Sequence, residues 1–442
     1  MSNTEKALAR VLLVLEALLG GFYVAVTRGL FVPMMAYSGY SLENMALVFL
    51  PTSISGAALS WGLYKYPEEA TRRFKVLSLA THIAERFVWL TLPFFLEKPI
   101  VVAFLYMLGN AVSAVVSIFL GSLIYSYFGD VGEVMKVSVW RSAAGTAASL
   151  LGAIYMTAVS AVLPAPQSYY VSYVTAFVVG LGSSVALLLV PAYPKQIVET
   201  GGRASEEVLI RGSQAFLVLT FMLAGSNLVG LSWAPLLKDM GAPLYVSLAL
   251  SITGNIGGVI GSLVIKGYKA YVAGLVANTV LTAVIPFLPL PGMHVGLSFF
   301  TSLTFMAANL LAMQIFAEIN SHMGRVRASA YMTAGNYLGL LVASLVALTL
   351  ARSPFLGLLL AAALKLVATV LALVAIPETA IVPERKAYEF SRMIYSISLV
   401  GYVFTVQASR EFVRTFIETL ALVALLLLLY TIYRFEALFI GG

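Results

Sequence analysis

Residues 26–39 read VTRGLFVPMMAYSG, and residues 228–241 read LVGLSWAPLLKDMG. Each apolar run ends on a proline followed six positions later by a glycine: Pro33 and Gly39, then Pro235 and Gly241, 202 positions on. Continued without a gap, residues 33–66 and 235–268 also share Ile54/Ile256, Gly56/Gly258, Ser60/Ser262 and Tyr66/Tyr268. The paired residues fall at one helix end, one outer turn and one small-residue face of the next helix. A second echo joins Arg141, before AAGTAASLLGA, to Arg327, before TAGNYLGLLVA. The chain therefore reads as a duplication, six helices plus six.

Composition names the solvent. Of 442 residues, 60% are hydrophobic and 11% charged, less than half the roughly 25% charged residues of a soluble domain. A spanning helix needs about 20 mostly apolar residues. Twelve such windows lie near 11–36, 44–64, 76–96, 99–125, 141–163, 168–191, 213–236, 243–265, 270–290, 294–318, 328–351 and 354–376, with a thirteenth at 416–433. The first is long and lacks a small-residue cleavage pattern, so it reads as a mature helix rather than a signal peptide. With no cysteine, disulfides, thiolate metal sites and cysteine nucleophiles are excluded. No nucleotide-binding loop is present, which disfavours ATP-driven transport.

The net charge of +7 is spread over short loops, so nucleic acid is not the expected partner. With loops assigned to alternate sides, 20 of the 27 lysines and arginines fall on the side of the N-terminus and only Lys98, Lys238, Arg352 and Arg434 on the other. By the positive-inside rule the N-terminus is expected in the cytoplasm of a multi-pass cell-membrane protein, and the C-terminus, after the thirteenth helix, outside. The expected fold is an all-α integral membrane protein of two six-helix bundles related by a pseudo-twofold. Its parts are an N-terminal bundle at 1–192, a cytoplasmic linker at 193–212, a C-terminal bundle at 213–378, a tail segment with hairpin-like alternation at 379–415 and the last helix within 416–442. Small residues at Gly56, Gly257, Gly258 and Gly261, and the Gly335-to-Gly339 spacing, let helix backbones approach in lipid.

On these residues the chain resembles the major facilitator superfamily over residues 8–378. The 6+6 topology, the first-helix ending PMMAYSGYS, its seventh-helix partner PLLKDMGAP and the Arg-then-Gly openings of helices five and eleven carry the resemblance. That family's gating motif between helices two and three corresponds here to GLYKYPEEATRRFK. Gly62 and the pair Arg72 and Arg73 are present, the family's aspartate is not, and Glu68 or Glu69 stands in its place.

A charge at the bilayer centre costs from about 2.5 to more than 10 kcal/mol, so such residues face a bundle interior or water. Arg28 is read as an anion anchor or the partner of a titrating glutamate, against snorkelling to the headgroups. Glu85 and Arg86, mid-helix in THIAERFVWL, read either as a packed ion pair or as a proton-coupling site, with His82 one turn away. Glu16 is either solvated at the interface or part of that coupling set. Lys365 is expected to snorkel or to touch a neighbouring helix. Asn227, which the repeat places opposite Ala25, joins Asn110, Asn255, Asn309 and Asn336 as candidate polar lining of a solute path.

The expected function is a secondary active transporter, moving a small organic solute by alternating access between its halves. Proton coupling and exchange are both open, and an anionic solute, protons and membrane lipids are the expected partners of a monomer that needs no metal or cofactor. A lipid or lipid-linked glycan flippase on the same fold is the alternative. A membrane-embedded transferase needs acids or a metal site clustered on one side, whereas Asp130 is expected inside, Asp239 outside, and His82, His294 and His322 on different segments.

Overall fold

The computed structural model describes residues 3–66, 74–128, 131–191, 206–265, 268–323 and 325–375, together with Glu389, Arg392 and Met393. Residues 1–387 form one compact unit and 388–442 another. The expected tail hairpin, the thirteenth helix, Arg72, Arg73 and most of the linker lie outside the described residues.

Among the described residues there are twelve α-helices and no strand. They are α1 (Asn3–Tyr37), α2 (Leu42–Lys65), α3 (Phe74–Thr91), α4 (Pro99–Phe128), α5 (Val131–Val162), α6 (Gln167–Leu189), α7 (Glu206–Asp239), α8 (Leu244–Val264), α9 (Tyr268–Val284), α10 (Pro291–Met323), α11 (Arg325–Thr349) and α12 (Pro354–Ala375). The start of α7 at Glu206 places the end of the expected linker, 206–212, inside a helix. Ten of the twelve are long and apolar enough to cross a membrane. One of the two others is α3, whose 18 residues include Lys75, Glu85 and Arg86. Backbone polar groups have no water to bond in hydrocarbon, which is why spans of this composition are helical.

The packing repeats with a step of six helices. In the first half α1 packs on α5 and α6, α2 on α4, and α3 on α4 and α6; in the second, α7 packs on α11 and α12, α8 on α10, and α9 on α10 and α12. The halves meet through α2 on α11 and α5 on α8, which are again each other's image. This invariance is the structural form of the duplication.

The Pro–Gly pairs close two helices in one way. Gly39 and Gly241 are the only described glycines with positive φ, at 95° and 75°, a backbone that only glycine adopts without strain. Tyr40 N–H donates to Met35 O and Gly39 N–H to Ala36 O; 202 residues on, Ala242 N–H donates to Leu237 O and Gly241 N–H to Lys238 O. Both ends are Schellman caps. Ser41 then starts α2, its hydroxyl accepting from Asn44 N–H at 3.1 Å.

At this end the halves are latched reciprocally. Lys238 Nζ donates to Ala36 O at 2.7 Å, and Tyr37 OH donates to Ala242 O at 2.7 Å. Toward the other end a cavity of about 600 Å³ opens between α5 and α8, lined by Ser142, Thr146, Asn255, Ser262 and apolar neighbours. Glycines bring the helices together as the small-residue pattern implied. A Cβ at Gly257 or Gly261 would strike the backbone of Phe299 or Leu303 on α10, and one at Gly339 would meet Thr220 O on α7 at 3.0 Å.

Candidate functional site

The charged groups of the first half converge on one chain of contacts. Glu16 and Arg28 stand on α1, twelve residues apart, about 18 Å along the axis at the standard rise. Glu16 Oε2 pairs with Arg141 of α5 at 2.7 Å, and its Oε1 lies 3.4 Å from Nε2 of His82 on α3. The same Nε2 lies 3.0 Å from Nη2 of Arg86, one turn further on. Arg86 Nη1 donates to Glu85 Oε2 at 2.5 Å, and Glu85 Oε1 accepts from Arg28 Nη2 at 3.3 Å. Two serines of α6 and one of α4 complete the set: Ser184 Oγ lies 2.8 Å from His82 Nδ1, Ser183 Oγ accepts from Arg86 at 3.2 Å, and Ser113 Oγ donates to Glu85 Oε1.

Four of its ionisable members are buried: Glu16 at 3% exposure, His82 at 0%, Glu85 at 3% and Arg86 at 2%. Buried charges persist only when paired and hydrogen-bonded. Arg28 differs, because 41% of its side chain stays accessible. Its guanidinium lies 5.7 Å from the centre of the Trp89 ring, while Arg86 covers Tyr23 at 4.6 Å, both within cation–π range. Phe31 and Tyr106 stack at 4.3 Å beside Trp89 and make this wall rigid.

Arg28 lies within electrostatic reach of Tyr337 on α11 of the second half. Its neighbour Gly29 lies against Met156 of α5 and Ser251 of α8, so this stretch of α1 borders both bundles. From α11, Tyr337 donates to Asn110 O at 2.9 Å, its ring seated on Gly56. Arg28 thus stands where the halves meet, with three guanidiniums against two carboxylates in its network.

Glu16 is not solvated at an interface; burial and two partners hold it in the network. Asn227 Nδ2 on α7 is buried with no hydrogen-bond partner among the described residues, and Asn255 lines the α5–α8 cavity. Asn110 Nδ2 turns back to Tyr106 O at 2.9 Å, Asn336 is exposed, and the side chain of Asn309 lies outside the described residues. Gly62 has open space around it. Lys365 does not snorkel: it is 3% exposed, and its Nζ donates to Asn278 Oδ1 at 2.8 Å and Thr282 Oγ1 at 2.9 Å, both on α9. No three acidic or histidine residues form a metal-binding group among the described residues.

Sequence reasoning missed Arg141 as the partner of Glu16, because a basic residue opening a helix reads first as a loop charge. It also missed Ser113, Ser183, Ser184 and Asn278. A signal for Asn278 existed. Both α3 and α9 run into a 3-10 turn, Leu92–Phe95 and Ile285–Phe287, with a proline second. Aligning Pro93 with Pro286 sets Asn278 opposite Glu85.

The sequence matches no protein-family profile and no curated protein. Among solved structures, a point mutant of the nucleoside transporter NupG is similar at 13% identity, covering 83% of this chain and 98% of that one with a TM-score of 0.59. The unmutated nucleoside transporter NupG is similar at 13% identity, covering 84% and 98%, with a TM-score of 0.57. The chain accordingly shares the fold of that transporter.

Proposed function

We propose that the protein is a secondary carrier, not an enzyme, that moves a small anionic organic solute across the cell membrane by alternating access, with Arg28 as the anchor for the solute's negative group. The observation that supports this most is the imbalance around Arg28. Three arginines share two glutamates, and the surplus positive charge belongs to the one arginine that is accessible. Its one acid partner among the described residues is engaged elsewhere: Glu85 holds Arg86 at 2.5 Å and accepts from Ser113, so Arg28 can leave it without stranding a carboxylate. A solute anion takes the vacated donors, and Trp89 beside the guanidinium favours a solute with an apolar or flat body.

The basic loops put the linker end in the cytoplasm. The latched Pro–Gly end is then the outer gate, and the α5–α8 cavity opens inward. Release of the two latching bonds with closure over that cavity supplies the opposite-facing state, the rocking that two such bundles allow.

The test is thermal unfolding of purified protein against a panel of carboxylates (benzoate, lactate, succinate), phosphate esters, nucleosides and short-chain lipids. A ligand of the folded form at 100 times its Kd stabilises by about 2.7 kcal/mol. At least one carboxylate is expected to raise the midpoint in the wild type and to lose that effect in Arg28→Ala. An Arg28→Ala protein that keeps the full shift removes Arg28 from the site, and stabilisation by lipids alone supports a flippase instead.

A further inference from the structure

His82 sits in a position that no single protonation state satisfies. Its Nε2 faces a donor and an acceptor together, Arg86 Nη2 at 3.0 Å and Glu16 Oε1 at 3.4 Å. A guanidinium only donates and an ionised carboxylate only accepts. With Nε2 unprotonated, His82 accepts from Arg86 and turns a lone pair on Glu16; with Nε2 protonated, it donates to Glu16 and turns its N–H on the N–H of Arg86. The two contacts exclude each other. Ser184 serves both states, because a hydroxyl can accept from Nδ1–H while donating to Gly180 O, here at 3.4 Å.

The groups facing His82 are Glu16 from α1, Arg86 and Glu85 from its own helix and Ser184 from α6, with Tyr23 and Ser183 against Arg86 and Arg141 of α5 behind Glu16. No residue of α4 is charged. Glu85 is held by donors from Arg86 and Arg28 and by Ser113, whose hydroxyl also reaches Gly109 O at 2.8 Å. A proton on Glu85 weakens two charge-assisted contacts to arginines, whereas a proton on His82 exchanges one charged partner for another.

We infer that His82 is the proton-binding group of this protein, and that its protonation is transmitted through Arg86 and Glu85 to the hold on Arg28. The step is a simple proton gain at Nε2, with no other bond made or broken. Nε2, which had accepted from Arg86, now donates its N–H to Glu16. Arg86, released from His82, turns its donors onto Glu85, whose grip on the long 3.3 Å contact to Arg28 weakens. Arg28 is freed as the network gains one more positive charge, so proton and solute anion are taken up together. By linkage, an anion on Arg28 favours the protonated histidine to the same degree. This rests on the carrier reading for its purpose, but not for its test.

The chain has three histidines and four tryptophans, few enough for nitrogen-15 imidazole and 5-fluorotryptophan NMR in nanodiscs without any solute. Between about pH 5 and 8, where histidine changes charge, the His82 signals are expected to cross from neutral to imidazolium positions. The fluorine signal of Trp89, which lies beside Arg28, is expected to move with the same midpoint. His82→Gln should hold the Trp89 signal fixed, while H294Q leaves it moving. If His82→Gln does not fold, H294Q combined with H322Q isolates the His82 signal. A His82 that keeps one state across the range overturns the proposal, as does a Trp89 signal that stays fixed while His82 titrates or still moves in His82→Gln. A coupled titration in a protein that no carboxylate stabilises would count against the carrier and leave the proton switch standing.

Discussion

The two halves share one packing plan and differ at its centre. In the first, Glu85 of α3 ties Arg86 and Arg28 together; in the second, the aligned position of α9 is Asn278, and the buried cation Lys365 rests on neutral oxygens. Even the steric complement is exchanged. A Cβ at Gly180 of α6 would strike the Tyr23 ring on α1 at 2.8 Å, whereas in the second half the glycine is on α7, where a Cβ at Gly225 would meet Lys365 of α12 at 2.6 Å. Duplication has kept what the backbone demands and let the polar chemistry diverge, one half holding a charged network and the other a cation on neutral oxygens.

Six substitutions can break or sharpen this contrast, each read by thermal unfolding in detergent. The largest effect is expected from Glu85→Ala, which leaves buried Arg86 without its acid; removing one partner of a buried pair costs about 3–5 kcal/mol. Lys365→Met should differ sharply, because it removes a buried cation that has no acid partner among the described residues and strands only two neutral acceptors, so the change is expected to stay within about 1 kcal/mol. If the two variants lose the same stability, the halves are not energetically distinct at their centres. Gly56→Ala forces its Cβ into the Tyr337 ring and is expected to destabilise by about 1–3 kcal/mol. Its repeat partner Gly258 finds only Met306 Sδ at 4.0 Å, and Gly258→Ala should fall within about 0.5 kcal/mol. The smallest difference is expected between Gly39→Ala and Gly241→Ala, which should each cost about 1–2 kcal/mol, since both caps need the same left-handed backbone. Unequal losses there would end the claim that the two helix ends are structural copies.

The sequence makes the copies visible and leaves the contacts between them hidden. Gly39 and Gly241 stand out because a left-handed cap tolerates little else, and the apolar windows stand out because lipid tolerates little else. Arg28 and Glu85 are each conspicuous as charges inside spans, but their pairing across 57 positions depends on how α1 and α3 are rotated against each other. A smooth hydropathy profile does not report rotation. His82 reads as a polar residue one turn from Glu85; only the coordinates show that its Nε2 also reaches Glu16, and that Arg141 holds the far side of that carboxylate. Lys365 is conspicuous too, yet its acceptors Asn278 and Thr282 follow from the register of α9 against α12. Resemblance to a transporter fold supplied the frame for these residues, not their partners.

The central claim is that Arg28 turns a spare positive charge toward water between the halves. The chain contains no cysteine, so single cysteines can be placed without background. The direct measurement is the rate at which a charged, membrane-impermeant thiol reagent modifies Arg28→Cys compared with Lys365→Cys, whose side chain is 3% exposed in the native residue. The account predicts modification at position 28 at least about tenfold faster, because thiol reactivity follows access of the thiolate to the aqueous reagent. Equal rates, or a position 28 reached only by lipid-soluble reagents, would contradict it.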